Sequence, residues 1–112
     1  MTQPMIFAVF TAPVEGQEDE YNRWYDEQHL SDVLRVPGVV AAQRYDLAHP
    51  GPGGAEPAHR YLAIYEIEGD PEVAVNGMMS RFLTDEMPGS DALDLAKTAM
   101  AVWKPRGPRL EK

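Results

Sequence analysis

Asn22, Tyr25, Asp26, His29 and Val33 lie close together in this chain, and their types and spacing are suited to chemistry. On a helix turning 100° per residue they share one arc of about 100°, edged by Tyr21 and Leu30. Glu20, Arg23, Glu27, Ser31 and Arg35 take the opposite, solvent side, and Trp24 falls off the centre of the arc, towards a rim. An arc turned to a core is ordinarily apolar, and each polar group buried there without a partner costs about 1–3 kcal/mol. Either neighbouring protein groups compensate, or a cavity with water and a ligand does. Asp26 and His29 are three apart and so can be neighbours on a helix. A carboxylate there favours the protonated imidazole, raising its pKa towards about 7 or beyond, and such a pair can move protons as general acid or base. The plainer alternative leaves Asp26 in water and His29 bonded to a backbone carbonyl.

The elements that must position these residues follow from the pattern. Residues 5–12 (MIFAVFTA) are continuously apolar and closed by Pro13, as in a strand buried on both faces. The acidic run 15–20 suits the N-terminal turn of a helix from about Gln17 to Arg35, which Pro37 must end. A second strand runs from Gly38 to about Leu47, residues 49–59 form a Gly/Pro loop, and 60–68 form a third strand. Its alternation puts Tyr61, Ala63, Tyr65 and Ile67 on one face, though not on an identified side of the sheet. Asp70-Pro71-Glu72 opens a second helix to about Leu83, 84–94 are irregular, and a last strand spans 97–105.

The order β-α-β-β-α-β predicts an α+β, ferredoxin-like protomer, a four-stranded antiparallel sheet with helices on one face. One domain is expected over residues 1–105, with a Pro-rich basic tail at 106–112. The other face of so apolar a sheet calls for cover, and a homodimer is the economical way to supply it.

Composition narrows the function classes. The 112 residues carry a formal net charge of −8, and their basic residues form no stripe outside 104–112, so neither nucleic acid nor an anionic membrane is an expected partner. The N-terminal apolar run is too short to span a membrane and lacks the basic flank of a signal peptide, which makes the cytoplasm the default location. With no cysteine there is no disulfide framework or thiolate chemistry. His49 and His59 flank the Gly/Pro loop away from His29, so no metal site is expected. No glycine-rich phosphate fingerprint follows a strand, no serine sits in a nucleophile elbow, and no cofactor is expected.

The run Y-N-x-W-Y-D-E-x-H-L-x-D-V-L-x-V-P-G-V, with R-Y in the next strand and YLAIYE later, resembles the EthD-like branch of the dimeric α+β barrel superfamily. That resemblance implies a homodimer whose sheets face each other, and a pocket in each protomer between sheet and helices into which His29 points. Members of the wider superfamily include cofactor-free polyketide cyclases, anthrone dehydratase-like or decarboxylase-like proteins, and monooxygenases of aromatic polyketides. The resemblance carries fold and site better than chemistry. A proton-moving histidine in such a pocket suits cofactor-independent lyase or isomerase chemistry (dehydration, decarboxylation or cyclisation) on a hydrophobic or aromatic carbonyl compound. Monooxygenase-like oxygenation of an anthrone-like substrate is a variant. His29 and Asp26 would be catalytic, with Asn22, Tyr25, Tyr45 and Val33 around the substrate. The alternative is a non-catalytic metabolite-binding or accessory protein using the same pocket. A third reading has Asn22, Asp26 and His29 satisfied inside the protomer, with no pocket at all. Tyr61 or Tyr65 could supply a phenol donor to the same pocket, although sheet packing or a dimer core is the favoured reading for both. Met78, Met79, Phe82, Leu83 and Met87 suggest an adaptable apolar wall, and Trp103 reads as a sheet or interface residue.

Overall fold

The computed structural model describes residues 3–53 and 57–112. Residues 54–56 of the expected Gly/Pro loop, and the first two residues of the chain, lie outside the described residues. Four strands, β1 (Met5–Thr11), β2 (Val39–Asp46), β3 (Tyr61–Ile67) and β4 (Ala99–Trp103), form one sheet in the order β2-β3-β1-β4. Every neighbouring pair is antiparallel, as the ferredoxin-like order requires. Among the described residues no helix is long and apolar enough to cross a membrane.

The first helical stretch comprises α1 (Glu18–Trp24), a π-helical turn (Tyr25–His29) and α2 (Leu30–Leu34), with helical dihedrals kept through both junctions. Its acidic first turn, Glu18-Asp19-Glu20, complements the helix dipole. The second helix, α3 (Pro71–Arg81), starts as its sequence dictates, with the Asp70 side chain accepting from Glu72 N–H at 2.9 Å and Pro71 at the first helical position. It stops two residues before the expected Leu83. Phe82 becomes extended and Leu83 takes a φ of 68°, while Leu83 N–H donates to the Met87 carbonyl at 2.9 Å. This backward fold turns Phe82 and Met87 inward.

Phe7, Val9 and Thr11 of β1 and Ala63, Tyr65 and Ile67 of β3 are buried on the face that carries the helices. Close approach fixes the layers. A Cβ on Gly38 would stand 3.2 Å from the Ala74 Cβ, and the φ of 94° there already favours glycine, so V-P-G brings β2 tightly against α3.

β2 does not alternate strictly. Val39 pairs with Ile67 but Ala41 with Glu66, so Val40 is an extra residue, a β-bulge. Beyond it Ala42 faces Tyr65 and Arg44 faces Ala63 on the helix side, while Gln43 and Tyr45 pair with Ile64 and Leu62 on the other. That other face, with Ile6, Phe10, Leu62, Ile64 and Trp103, carries no helix or further strand among the described residues, and Trp103 is 61% exposed. The expectation that β1 is buried on both faces therefore does not hold within one protomer: Phe10 is 37% exposed.

Candidate functional site

The π-turn makes the site. The Leu30 N–H donates to the Tyr25 carbonyl, a bond spanning five residues rather than four. On an α-helix residues five apart stand about 140° apart, but this wider turn brings them nearly over one another. Trp24 and His29 are such a pair, and their rings stack at 4.5 Å with a 22° interplanar angle. Tyr25 meets His29 edge-on at 5.0 Å and Phe82 approaches from the far side at 5.9 Å. Trp24 is thereby buried rather than at a rim, and its indole N–H donates to the Pro88 carbonyl at 3.1 Å.

The Trp24, Tyr25 and His29 rings form one wall of a cavity of about 250 Å³ between sheet and helices. Phe7, Val9 and Thr11 of β1, with Tyr65 of β3, supply the floor. Val33 continues the His29 wall, and Met78, Met79, Phe82 and Met87 face it. Met79, Leu95 and Met100, all substantially exposed, form the rim. The methionine wall expected from the sequence is present except for Leu83, which points outward, 61% exposed.

Few polar atoms reach this space. The Tyr25 and Tyr65 hydroxyls share a hydrogen bond at 3.3 Å. Burial raises both phenol pKa values, that of Tyr65 well above its usual range, so both stay protonated. The Tyr25 hydroxyl also meets the Thr11 side chain, so the pair is joined to the floor of the cavity. At the floor, Thr11 Oγ1 is bonded to the Tyr21 hydroxyl. Thr98 also lines the cavity, and its buried hydroxyl has no partner.

His29 is neutral. Burial lowers its pKa to about 4, the Arg44 charge adds to that effect, and the carboxylate of Asp32 opposes it. Its Nδ1 is buried without a hydrogen-bond partner, and so is Oδ2 of Asp32, whose other oxygen accepts from Arg35 at 2.9 Å. The carboxylate whose field reaches the imidazole is thus Asp32, not Asp26. This corrects the expected Asp26–His29 pair and the raised pKa that went with it. The π-turn is the physical reason: within it each residue advances by less than 100°, so Asp26 rotates away from His29.

Asp26 and Asn22 lie outside the cavity and hold Arg44. The guanidinium donates to Asp26 Oδ1 at 2.7 Å and to Asn22 Oδ1 at 2.9 Å, and Asn22 Nδ2 donates to the Tyr61 hydroxyl at 3.3 Å. The Arg44 Cζ lies 4.4 Å from the centroid of the Tyr25 ring and within 5.4 Å of those of Tyr21 and Tyr61. The polar helix face is therefore occupied in two ways, by this clasp and by the His29 cavity. Tyr45 is also corrected: it stands on the face without helices, 45% exposed, with its hydroxyl donating to Gln43 at 3.4 Å. Strict alternation from Val39 would have turned it inward, and the bulge at Val40 reversed the phase.

Of the expected site residues, the structure brings His29, Tyr25 and Val33 together at the cavity, and separates Asp26, Asn22 and Tyr45 from it. Trp24, Tyr65, Thr98 and Asp32 were not among them. The Trp24/His29 spacing of five, read as a π-turn, is the one signal that would have found Trp24. Among the described residues no group of three or more histidine, aspartate or glutamate side chains is arranged to hold a metal ion. His59 Nε2 lies 2.9 Å from the Lys97 carbonyl, and His49 Nδ1 accepts from Gly51 N–H.

No protein-family model matches the sequence, and no curated protein does. Solved structures do. An ethyl tert-butyl ether D (EthD) family protein from Bacillus halodurans C-125 superposes with a TM-score of 0.56 at 12% identity, over 90% of this chain and 98% of that one. An EthD-like protein from Ralstonia eutropha JMP134 gives a TM-score of 0.58 at 14% identity, over 96% of each chain. The chain has the α+β fold of EthD-family proteins.

Proposed function

We propose that this chain is a cofactor-independent enzyme of the lyase or isomerase type, acting on a hydrophobic or aromatic carbonyl compound in the His29 cavity. The observation that carries this reading is a ligand-sized apolar cavity lined by the ring of a neutral histidine whose Nδ1 has no partner and by a hydrogen-bonded pair of tyrosines. A neutral imidazole is the form able to accept a proton from carbon next to a carbonyl. The electron pair left behind moves onto the carbonyl oxygen, and a phenol O–H of the Tyr25–Tyr65 pair, turning to the ligand, donates to the enolate so formed. The imidazolium then returns its proton, either to a departing β-hydroxyl, which leaves as water, or to the oxygen of a second carbonyl attacked by the enolate carbon. Dehydration and aldol-type cyclisation both balance this way; decarboxylation of a β-keto acid reaches the same enolate by releasing CO₂, and the enolate carbon then takes its proton from water.

A metabolite-binding or accessory role for the same pocket is the second reading. Asp26 is committed to Arg44, so no carboxylate bonded to His29 stabilises an imidazolium in the way the sequence implied. His29→Ala separates the two. The enzyme reading expects turnover to fall by about a hundredfold or more while ligand affinity changes little. Weakened binding of a ligand that the wild-type protein never converts would support the binding role instead.

We also propose that the uncovered sheet face pairs with a second copy of the chain. Exposed Phe10 and Trp103 on that face support it. Sedimentation at micromolar concentration should give twice the monomer mass, and a stable monomer would refute the pairing.

A further inference from the structure

We infer that the occupant of the His29 cavity is an uncharged compound of one or two rings, with no carboxylate, phosphate or ammonium group. The inference builds on the proposal that this cavity is the functional site and narrows it by charge and size, keeping dehydration and aldol-type cyclisation and setting aside decarboxylation, whose substrate carries a carboxylate. Among the described residues no aspartate, glutamate, lysine or arginine lines the cavity. Of the two ionic groups whose fields reach His29, Arg44 is held by Asp26 and Asn22, and Asp32 is held by Arg35 through one of its oxygens. Arg44 also lies against the ring of Tyr25, a residue of the cavity wall, with its own hydrogen bonds directed to the helix groups outside. A charged ligand would surrender its water and find no counter-charge, while a carbonyl or hydroxyl would lose far less and has phenol and hydroxyl partners.

Size points the same way. An apolar cavity of roughly 150 Å³ accepts benzene, and this one measures about 250 Å³. That is room for a second ring. A third fused ring would have to project past the rim of Met79, Leu95 and Met100 into solvent. The thioethers of Met78, Met79, Met87 and Met100 supply contacts that sulfur makes favourably with ring edges, and their flexible chains adjust to different ring substituents.

Trp24 reports on this directly, because it lines the cavity and stacks on His29. In a Trp103→Phe background its fluorescence can be titrated with acetophenone, α-tetralone and acetylnaphthalene as uncharged ketones, naphthoate as a charged two-ring analogue, and anthrone as a three-ring ketone. The uncharged one- and two-ring ketones should change the signal saturably. Naphthoate should bind about a hundredfold more weakly than acetylnaphthalene, and anthrone about tenfold more weakly than the best ketone. The same competition followed by ligand-observed NMR on the unmodified chain guards against an effect of the substitution. Naphthoate or anthrone binding as tightly as the small ketones overturns the inference, and so does failure of every small ketone to bind. Turnover is scored separately. Selective binding with no reaction leaves the inference intact and removes the enzyme reading, whereas conversion of a carboxylated substrate does the reverse.

Discussion

Two polar clusters flank the same helical stretch and differ in one respect. Around Arg44 the polar groups are joined to one another: the guanidinium donates to Asp26 and Asn22, Asn22 donates to Tyr61, and the cation lies over three aromatic rings. Around His29 they are not. The imidazole Nδ1 and the Thr98 hydroxyl are buried without partners in the wall of an apolar space. A closed network of this kind repays the cost of its own burial and serves the fold, here by tying β2 to the helix. An open one leaves a standing cost of burial that a ligand's polar groups can offset. One helix therefore carries a closed polar face and an open one.

The sharpest way to break this comparison is to open the closed network. Arg44→Ala removes the hydrogen-bonded cation and the packing of its stem against Tyr21, Tyr25 and Tyr61, and should cost about 4 kcal/mol. Denaturant unfolding reads this directly. A variant as stable as the parent would mean that the clasp contributes little and that the contrast between the two clusters is misdrawn.

The open cluster should reveal itself through pH. In the unfolded chain a histidine takes up its proton near 6.5, but the folded His29 resists until about 4. The folded pKa is depressed, so the unfolded state binds the extra proton between these values and stability falls as pH drops through that window. The full loss amounts to about 3 kcal/mol by pH 4. His29→Leu should flatten the curve in that window relative to the parent. If parent and variant lose stability in parallel between pH 6.5 and 4, His29 is not the buried neutral group described above.

The smallest effects distinguish the two carboxylates. Asp26→Asn keeps an acceptor for Arg44 at a largely exposed position and should cost under about 1 kcal/mol, with no change in the His29 titration. Asp32→Asn removes the field that favours the protonated ring, so the His29 pKa should move lower still. A reversed pattern, with Asp26→Asn moving the histidine, would restore the carboxylate–imidazole pair that the sequence suggested.

Most of the fold was legible because its signals are local. The alternation of Tyr61 to Ile67, the Asp70-Pro71 helix start and the Pro-Gly turn after Val36 each specify structure within a few residues. The candidate site was half legible. His29, Tyr25 and Val33 reach the cavity as the helical wheel implied, while Asp26 and Tyr45 miss it for a common physical cause. Each lies within or beyond a one-residue insertion in a regular element, the π-turn at Tyr25–His29 and the bulge at Val40. Such an insertion leaves composition untouched and shifts the phase of the residues that follow. Tyr65 escaped because alternation pairs it with Tyr61 without identifying the side of the sheet. Thr98 is contributed by the irregular approach to β4, where no period applies.

The most direct test is an NMR titration of the His29 ring, run with and without a saturating uncharged ring ketone. The account predicts a midpoint near 4 for the free protein and a ring resonance that moves when the ketone binds. A midpoint at or above 6.5, together with a signal indifferent to every ketone, would contradict it, because His29 would then be neither the buried neutral ring nor the wall of a ligand site.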